Sequence, residues 1–242
     1  MSAAQGRLEV LPDPASLARH VAQWLVALAQ AGEGEGRICL SGGSTPKALY
    51  GLLATPEFVG RLPWARLSWY WGDERFVPPD HPDSNYRMAR DAMLAKVPAS
   101  AGHIHPIPTD GEPDDAARRY ERVLREGYGR DRLDPARPLF DVTLLGLGGD
   151  GHTASLLPGG AGLAERERWV VAVAHGRPEV RITLTVPAIE SSRKVAFLVA
   201  GADKAAILRR VRSGEDGLPA ALIKPVGELI WFADQAAAGD RS

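Results

Sequence analysis

The stretch "LFDVTLLGLGGDGHTASLLP", residues 139–158, decides how this chain folds. Its first eight residues, 139–146, read as a strand, and they run into a turn rich in glycine. Gly146, Gly148 and Gly151 satisfy the G-x-G-x-x-G spacing of a dinucleotide cradle. Such a cradle opens a full helix and carries an acidic residue roughly 20 positions further on. Here Pro158, Gly159 and Gly160 stop any helix after a couple of turns, and "WVVAVA" (169–174), where the acid would fall, has none. The turn also lies past mid-chain rather than on a first strand–helix unit. A second reading explains more of its residues. Histidine is the side chain that titrates near neutrality, so His152 can accept a proton from water, and Asp150 can orient the ring or raise its basicity. The glycines allow close approach of a ligand, and their N–H groups suit a developing oxyanion. The bland alternative is a hydrogen-bonded structural histidine.

Outward from this turn, strand and helix patterns alternate. Asp13 and Pro14 form a helix start, and Leu17, Val21, Trp24, Leu25 and Leu28 keep helical spacing up to Gly32. Strands are expected over 37–43, 66–74, 169–174, 181–185, 194–200 and 228–234, and helices over 46–53, 84–96, 114–126 and 203–212. In the 114–126 helix, Asp114 with Arg118 and Asp115 with Arg119 sit at i,i+4, which reads as a solvated face without further function. The tail "QAAAGDRS" is expected to fray, and "RPEV" (177–180) reads as a loop. This alternation argues an α/β fold, a mostly parallel sheet covered on both faces, in one domain over 1–242. Ligands of such sheets bind at the carboxyl ends of the strands.

Composition sets the outer limits. The 242 residues are 45% apolar and 24% charged, and 29 Lys and Arg against 30 Asp and Glu leave no global field that points to nucleic acid or membrane. Cys39 is the sole cysteine, which excludes an internal disulfide or a multi-thiolate metal site and fits a reducing cytoplasm. The first residues, "MSAAQGRLEV", lack a basic head with an apolar stretch, so no secretory signal is expected. The apolar runs fall far short of the ~20 residues a membrane span needs. His103, His105 and His152 share no compact ligand spacing, so no zinc site is expected.

Two more clusters fall at strand ends. "LSGGSTPKALY" (40–50) joins a strand to a helix through Gly42, Gly43, Ser44 and Thr45; it is either an anion site at a helix N-terminus or an ordinary capped turn. It lacks the Walker A spacing. "WGDERFVPPDHPDSNY" (71–86) ends an apolar strand with Asp73, Glu74 and Arg75. Arg75 can hold a phosphate or carboxylate, the acids beside it can instead position that arginine, or the cluster is only a structural Asp–Arg pair at a strand end. His81 reads as a solvated loop residue. Arg181 opens the strand "RITLT" and Lys204 opens the helix after "VAGAD"; each can reach a phosphate or lie solvated on the surface.

Taken together, "LSGGSTPKALY", "WGDERFVPPDHPDSNYRMA", "LLGLGGDGHTASLLPG", "RITLT" and "GADKA" resemble, in order, the motifs of 6-phosphogluconolactonases, over about residues 10–232. Leu157 departs from the pattern, where an aromatic is more usual. The resemblance implies a Rossmann-like three-layer αβα sandwich. It implies hydrolysis of 6-phospho-D-glucono-1,5-lactone to 6-phosphogluconate in the oxidative pentose phosphate pathway, without organic cofactor or essential metal. A sugar-phosphate lactone as partner, a monomer and a cytoplasmic location are expected. On this sequence His152 resembles the general base and Asp150 its support. The other site positions implied are Gly42, Gly43, Ser44, Thr45, Asp73 and Arg75, with Gly148, Gly149, Arg181 and Lys204. The nearest rival is a glucosamine-6-phosphate isomerase or deaminase. Those enzymes resemble this chain in the D-G-H turn but carry a catalytic glutamate soon after it, whereas no acid occurs here before Glu165. A sugar-phosphate sensor without catalysis is the rival from another class.

Overall fold

In a computed structural model, residues 6–174 and 179–239 are described. Residues 1–5, 175–178 and 240–242 lie outside, and with them half of the "RPEV" loop and the last tail residues. The chain opens with β1 (Arg7–Leu11), α1 (Pro14–Ala31), β2 (Gly36–Leu40), α2 (Ser44–Leu53) and α3 (Pro56–Val59). Then come β3 (Leu67–Trp71), β4 (Asp73–Arg75), α4 (Asn85–Ala92), α5 (Pro113–Tyr128) and β5 (Phe140–Leu145). The second half holds β6 (Val170–Val173), β7 (Arg181–Leu184), α6 (Val186–Glu190), β8 (Ser192–Val199), α7 (Ala205–Arg212), α8 (Pro219–Leu222), β9 (Glu228–Asp234) and α9 (Gln235–Ala238).

Six strands form a sheet in the order β1-β9-β8-β5-β2-β3, and every neighbouring pair is parallel. Helical layers flank it in a three-layer, Rossmann-like arrangement. The interior strands are accordingly buried on both faces: in β8 only Arg193 and Lys194 are not. Phe197 and Trp231 stack across β8 and β9 with ring centroids 4.0 Å apart. From β2 the chain goes out to β3 and later returns to β5 on the other side of β2. The β2/β5 boundary is thus the topological switch point, where a crevice opens at the strand carboxyl ends. The loops leaving both strands are two of the glycine clusters.

Several expectations are corrected. The span 66–74 is not one strand. It breaks at Gly72, whose N–H is bonded to Leu40 O at 2.9 Å while its carbonyl accepts from Leu184 N at 2.8 Å. Gly72 thereby hands the chain from the large sheet to a second, three-stranded antiparallel sheet of order β4-β7-β6. One hydrophobic cluster nonetheless takes in both sheets, for example Trp169 and Ile182 with Leu144. β1, unread in the sequence, is an edge strand with no fully buried residue. α2 begins at Ser44, two residues earlier than Pro46. α4 ends at Ala92, before a single 3-10 turn at Leu94–Lys96. The tail does not fray through Ala238, because Asp234 caps α9 by accepting from Ala237 N at 2.7 Å and Ala237 is buried. On α5, Arg118 pairs with Asp115 and Arg119 reaches Asp110 at 3.0 Å, not the i,i+4 partners. Glu121, within that charged run, is buried and accepts from Trp169 N at 3.0 Å. Among the described residues no helix is long and apolar enough to cross a membrane.

Two buried tyrosines tie off the strands that end at the crevice. Tyr50 on α2 accepts from Ser41 N at 3.0 Å and donates to Ser41 O at 2.9 Å, just past β2. Tyr120 on α5 does the same for Trp71 at the end of edge strand β3, at 2.8 and 3.0 Å. Burial pushes both hydroxyls upward in pKa, so they stay protonated and keep donating. Tyr120→Phe strands one backbone donor and one acceptor out of water. A loss of about 1–3 kcal/mol in unfolding free energy is expected; an unchanged denaturant midpoint would show that the clamp contributes nothing.

Candidate active site

The crevice at the switch point is a cavity of about 440 Å³. Its first wall is the turn after β2. Gly43 holds φ +105°, a conformation that suits glycine, and acts as N-cap of α2, so Ser44 and Thr45 occupy the helix's first turn beside the cavity. A Cβ on Gly42 would come within 2.0 Å of Asn85 Oδ1, so only glycine fits beside that amide.

The second wall is the small sheet. Arg75 at the end of β4 and Arg181 at the start of β7 are cross-strand partners, and both line the cavity. Arg75 does not pair with Asp73; its Nη1 donates to Asp83 O at 2.6 Å. Arg181 pairs with Glu179. The Nε groups of both arginines are buried without a hydrogen-bond partner among the described residues. Asp73 instead accepts from Ser155 Oγ at 2.6 Å, and its carbonyl accepts from Asn85 Nδ2 at 2.9 Å. Glu74 turns away from the cavity. Its carboxylate takes the N–H groups of Arg75, Asn85 and Tyr86 and the hydroxyl of Ser84, at 2.7–3.0 Å, anchoring the start of α4. Burial raises its pKa, against those hydrogen bonds.

The third wall is the turn after β5. Gly148 N donates to His152 O at 2.9 Å and Gly151 N to Gly148 O at 3.0 Å, which closes the loop. Gly151 sits at φ +83° with Leu218 packed where a Cβ would be, and Ala220 N donates to its carbonyl at 3.0 Å. Asp150 Oδ1 accepts from His152 N at 3.0 Å and lies 2.5 Å from His152 Nδ1. Asp150 is partly buried, which raises its pKa, but the bonds from His152 outweigh this and hold it below the usual carboxylate value. A Cβ on Gly148 would lie 2.0 Å from His152 Nδ1, so that glycine is what leaves room for the ring. Ala154 follows with φ +47°, and Thr153 Oγ1 bonds back to Gly146 O at 3.0 Å. Lys204 closes the rim, 3.6 Å from Asp203 and just past Gly201, whose N–H is held by Asp234 at 3.1 Å.

Of the positions expected from the sequence, Gly42, Gly43, Ser44 and Thr45 meet Asp73, Arg75 and Gly148 around one cavity, together with His152, Arg181 and Lys204. Asp150 lies behind His152 rather than on the cavity surface, and Gly149 is exposed on the outside of its turn. Glu74, read with Asp73 as a group that can position Arg75, holds its backbone N–H; Asn85 and Ser155 carry no local signal of a role. They lie inside "DSNY" and "GHTAS", and only their long-range bonds reveal a role. Leu157 is buried. His81 is about half exposed and turned toward Asp83.

The fold and cavity define an α/β protein with an arginine- and lysine-lined crevice at the strand carboxyl ends, and comparison with known proteins sharpens this. The family model described as glucosamine-6-phosphate isomerases/6-phosphogluconolactonase matches residues 12–231. The 6-phosphogluconolactonase of Nostoc sp. is 43% identical, over 97% of this chain and 98% of its own length. That of Rattus norvegicus is 38% identical, over 97% and 93%. Among solved structures, one described as devB protein superposes with a TM-score of 0.89 at 33% identity, over 98% and 99% of the two chains. The 6-phosphogluconolactonase of Trypanosoma brucei gives 0.80 at 28%, over 98% and 99%. A monomeric glucosamine-6-phosphate deaminase, at 20% identity and TM-score 0.80, shares the fold. The chain belongs to the glucosamine-6-phosphate isomerase/6-phosphogluconolactonase family.

The Asp150–His152 contact carries a pH signature. Because the folded Asp150 pKa lies below the ordinary carboxylate value, the stability it contributes is present above that ordinary value and is lost as pH falls through the folded one. The difference in urea midpoint between the wild type and Asp150→Asn should therefore shrink in strong acid, as the carboxylate takes up its proton. A difference that does not shrink in strong acid would mean the carboxylate is not held by His152.

Proposed function

We propose that this chain is a 6-phosphogluconolactonase, hydrolysing 6-phospho-D-glucono-1,5-lactone to 6-phosphogluconate. The observation that carries the proposal is a carboxylate-held imidazole facing, across one cavity, a helix N-terminus and a ring of cations. The relatives at 38–43% identity over nearly the whole chain bear the same activity in their names.

The chemistry follows from the groups present. A δ-lactone is an activated ester, so water suffices as nucleophile and no covalent intermediate is needed. The phosphate sits at the first turn of α2, where free N–H groups and the Ser44 and Thr45 hydroxyls converge, with Arg181 and Lys204 as counter-charges. Asp150 engages Nδ1 of His152, which fixes the tautomer and assigns the base role to Nε2. That nitrogen takes a proton as water attacks C1. The carbonyl oxygen becomes an oxyanion, stabilised by Arg75 or by N–H groups of the glycine turn. The imidazolium then returns the proton to the departing ring oxygen, and the ring opens.

Isomerisation or deamination is disfavoured by Glu165, the first acid after the turn. Its carboxylate is bonded to the N–H groups of Arg166, Glu167 and Arg168 at 2.7–3.0 Å, outside the cavity. A non-catalytic sensor has no use for a carboxylate-oriented imidazole.

With freshly generated lactone and spontaneous hydrolysis subtracted, His152→Ala should lose roughly 10²–10⁴-fold in kcat while keeping its fold. Retained acceleration would remove His152 as base. No acceleration by the wild type would remove the lactonase assignment itself. Gly148→Ala should push the imidazole aside and cost about 10²-fold in kcat, with a smaller change in KM. Wild-type kinetics in that variant would mean the ring is not set by this glycine.

A further inference from the structure

Away from the crevice, α5 and the start of β6 enclose a second cleft, of about 280 Å³. Four arginines line it. Arg118, Arg122 and Arg125 share one face of α5 at i, i+4 and i+7, and Arg168 comes from the residue two before β6. Glu121 is the single acid of the lining, and it is already committed. One oxygen accepts from Trp169 N and Val170 N, at 3.0 and 3.3 Å, and the other takes the Arg125 guanidinium, at 3.0 Å from Nε. Arg125 is held in place from behind, its guanidinium carbon 5.1 Å from the centroid of the Trp169 ring. Arg118 meets Asp115 at the exposed rim.

The other two cations are less fully matched: the Arg168 N–H, and after it the Arg168 charge, help hold the Glu165 carboxyl below its ordinary value, but no ion pair joins Arg168 or Arg122 among the described residues. Nη2 of Arg168 is buried and has no hydrogen-bond partner among the described residues. Its backbone is nevertheless fixed, its N–H bonded to Glu165 at 3.0 Å and its carbonyl accepting from Thr185 Oγ1 at 2.8 Å. For Arg122 no ion pair or hydrogen bond occurs among the described residues. A buried guanidinium donor without an acceptor is costly, and an oxyanion is the group that satisfies it. The excess of positive charge is local, because the chain as a whole is at −1.

We propose that this cleft is a second anion site, for a small ligand bearing a phosphate or diphosphate group. Planar guanidinium forks lining one concavity, from a helix and from the segment leading into β6, suit phosphate oxygens bidentately. The volume lies at the lower end of ligand pockets, roughly 300 Å³, enough for the anionic group itself rather than a whole dinucleotide. Nucleic acid fits less well, since the cations line one concavity and not a groove, and Trp169 is too buried to stack with a base. The cleft shares no lining residue with the His152 cavity, so the proposal is independent of the lactonase assignment. The two are nevertheless joined by one small sheet: Val173 at the far end of β6 pairs with Arg181.

The test is equilibrium dialysis of the full chain against labelled inorganic pyrophosphate, at low salt and with added chloride. Three variants are compared with the wild type: Arg122→Ser, Arg122→Ser/Arg168→Ser, and Arg181→Ser in the His152 cavity. Arg122 is exposed, so its single variant guards against failure of the double variant to fold. Expected is salt-sensitive binding that Arg181→Ser retains in part, that Arg122→Ser weakens severalfold and that the double variant weakens about tenfold or more. Lactone turnover without pyrophosphate should be unchanged in Arg122→Ser. Binding that survives in the Arg122 variants, or disappears wholly in Arg181→Ser, overturns the proposal, as does absence of binding to the wild type at millimolar pyrophosphate.

Discussion

The 2.6 Å hydrogen bond between Ser155 Oγ and Asp73 Oδ2, buried between the two sheets, is the contact on which the site's assembly rests. Asp73 is the first residue after the chain leaves the large sheet at Gly72, and Ser155 lies three residues past His152. One carboxylate therefore fixes the position of the histidine turn relative to Arg75, two residues further along β4. The carbonyl of the same Asp73 holds the Asn85 amide, and Gly42 must lack a side chain to lie against that amide. Three loops from β2, β3 and β5 are thus locked through a single residue. Its partners are neutral donors, as expected of a buried carboxylate that is satisfied without a counter-ion.

This explains what was legible beforehand. Strand–helix alternation and the glycine-rich strand ends are local signals, so the α/β class, the three clusters and ten of the positions around the cavity could be read from residue patterns and the resemblance they carry. The break at Gly72 was not legible, because "RLSWYWGDE" is a continuous strand pattern and only the bonds of Gly72 to Leu40 and Leu184 divide it between sheets. β1 was missed because an edge strand with partly exposed faces shows neither clean alternation nor an apolar run. Asn85 and Ser155 are ordinary polar residues until their distant partners are known. Glu121 failed in the opposite direction, a charge in a charged run whose burial depends on β6 arriving against α5.

The two sheets divide the work. The parallel sheet sets the switch point, where the strand ends of β2 and β5 diverge and the helix N-terminus of α2 supplies a fixed positive potential. The small antiparallel sheet adds discrete cations: β4 and β7 bring Arg75 and Arg181 into cross-strand register at the cavity. Two like charges side by side repel, and burial of both Nε groups adds a desolvation cost. Glu179 offsets part of that charge by pairing with Arg181, and the register of β4 against β7 leaves both guanidinium groups lining the cavity, where an anion would offset the rest.

Glu74 shows how that register is kept. A carboxylate buried at the start of α4 would be a liability if unpaired, and burial alone does raise its pKa. Yet it accepts from three backbone N–H groups and one hydroxyl. Two of those N–H groups, on Asn85 and Tyr86, belong to the first turn of α4, where they lack intrahelical partners and the dipole favours negative charge. The third is the N–H of Arg75 itself. Glu74 therefore pins the backbone of the arginine to the helix that carries Asn85, on the side of β4 opposite the cavity. Adjacent strand residues point to opposite faces, which is why "DER" can serve both ends at once. Asp73 and Arg75 face the cavity, and the glutamate between them faces the helix and holds the geometry of the other two.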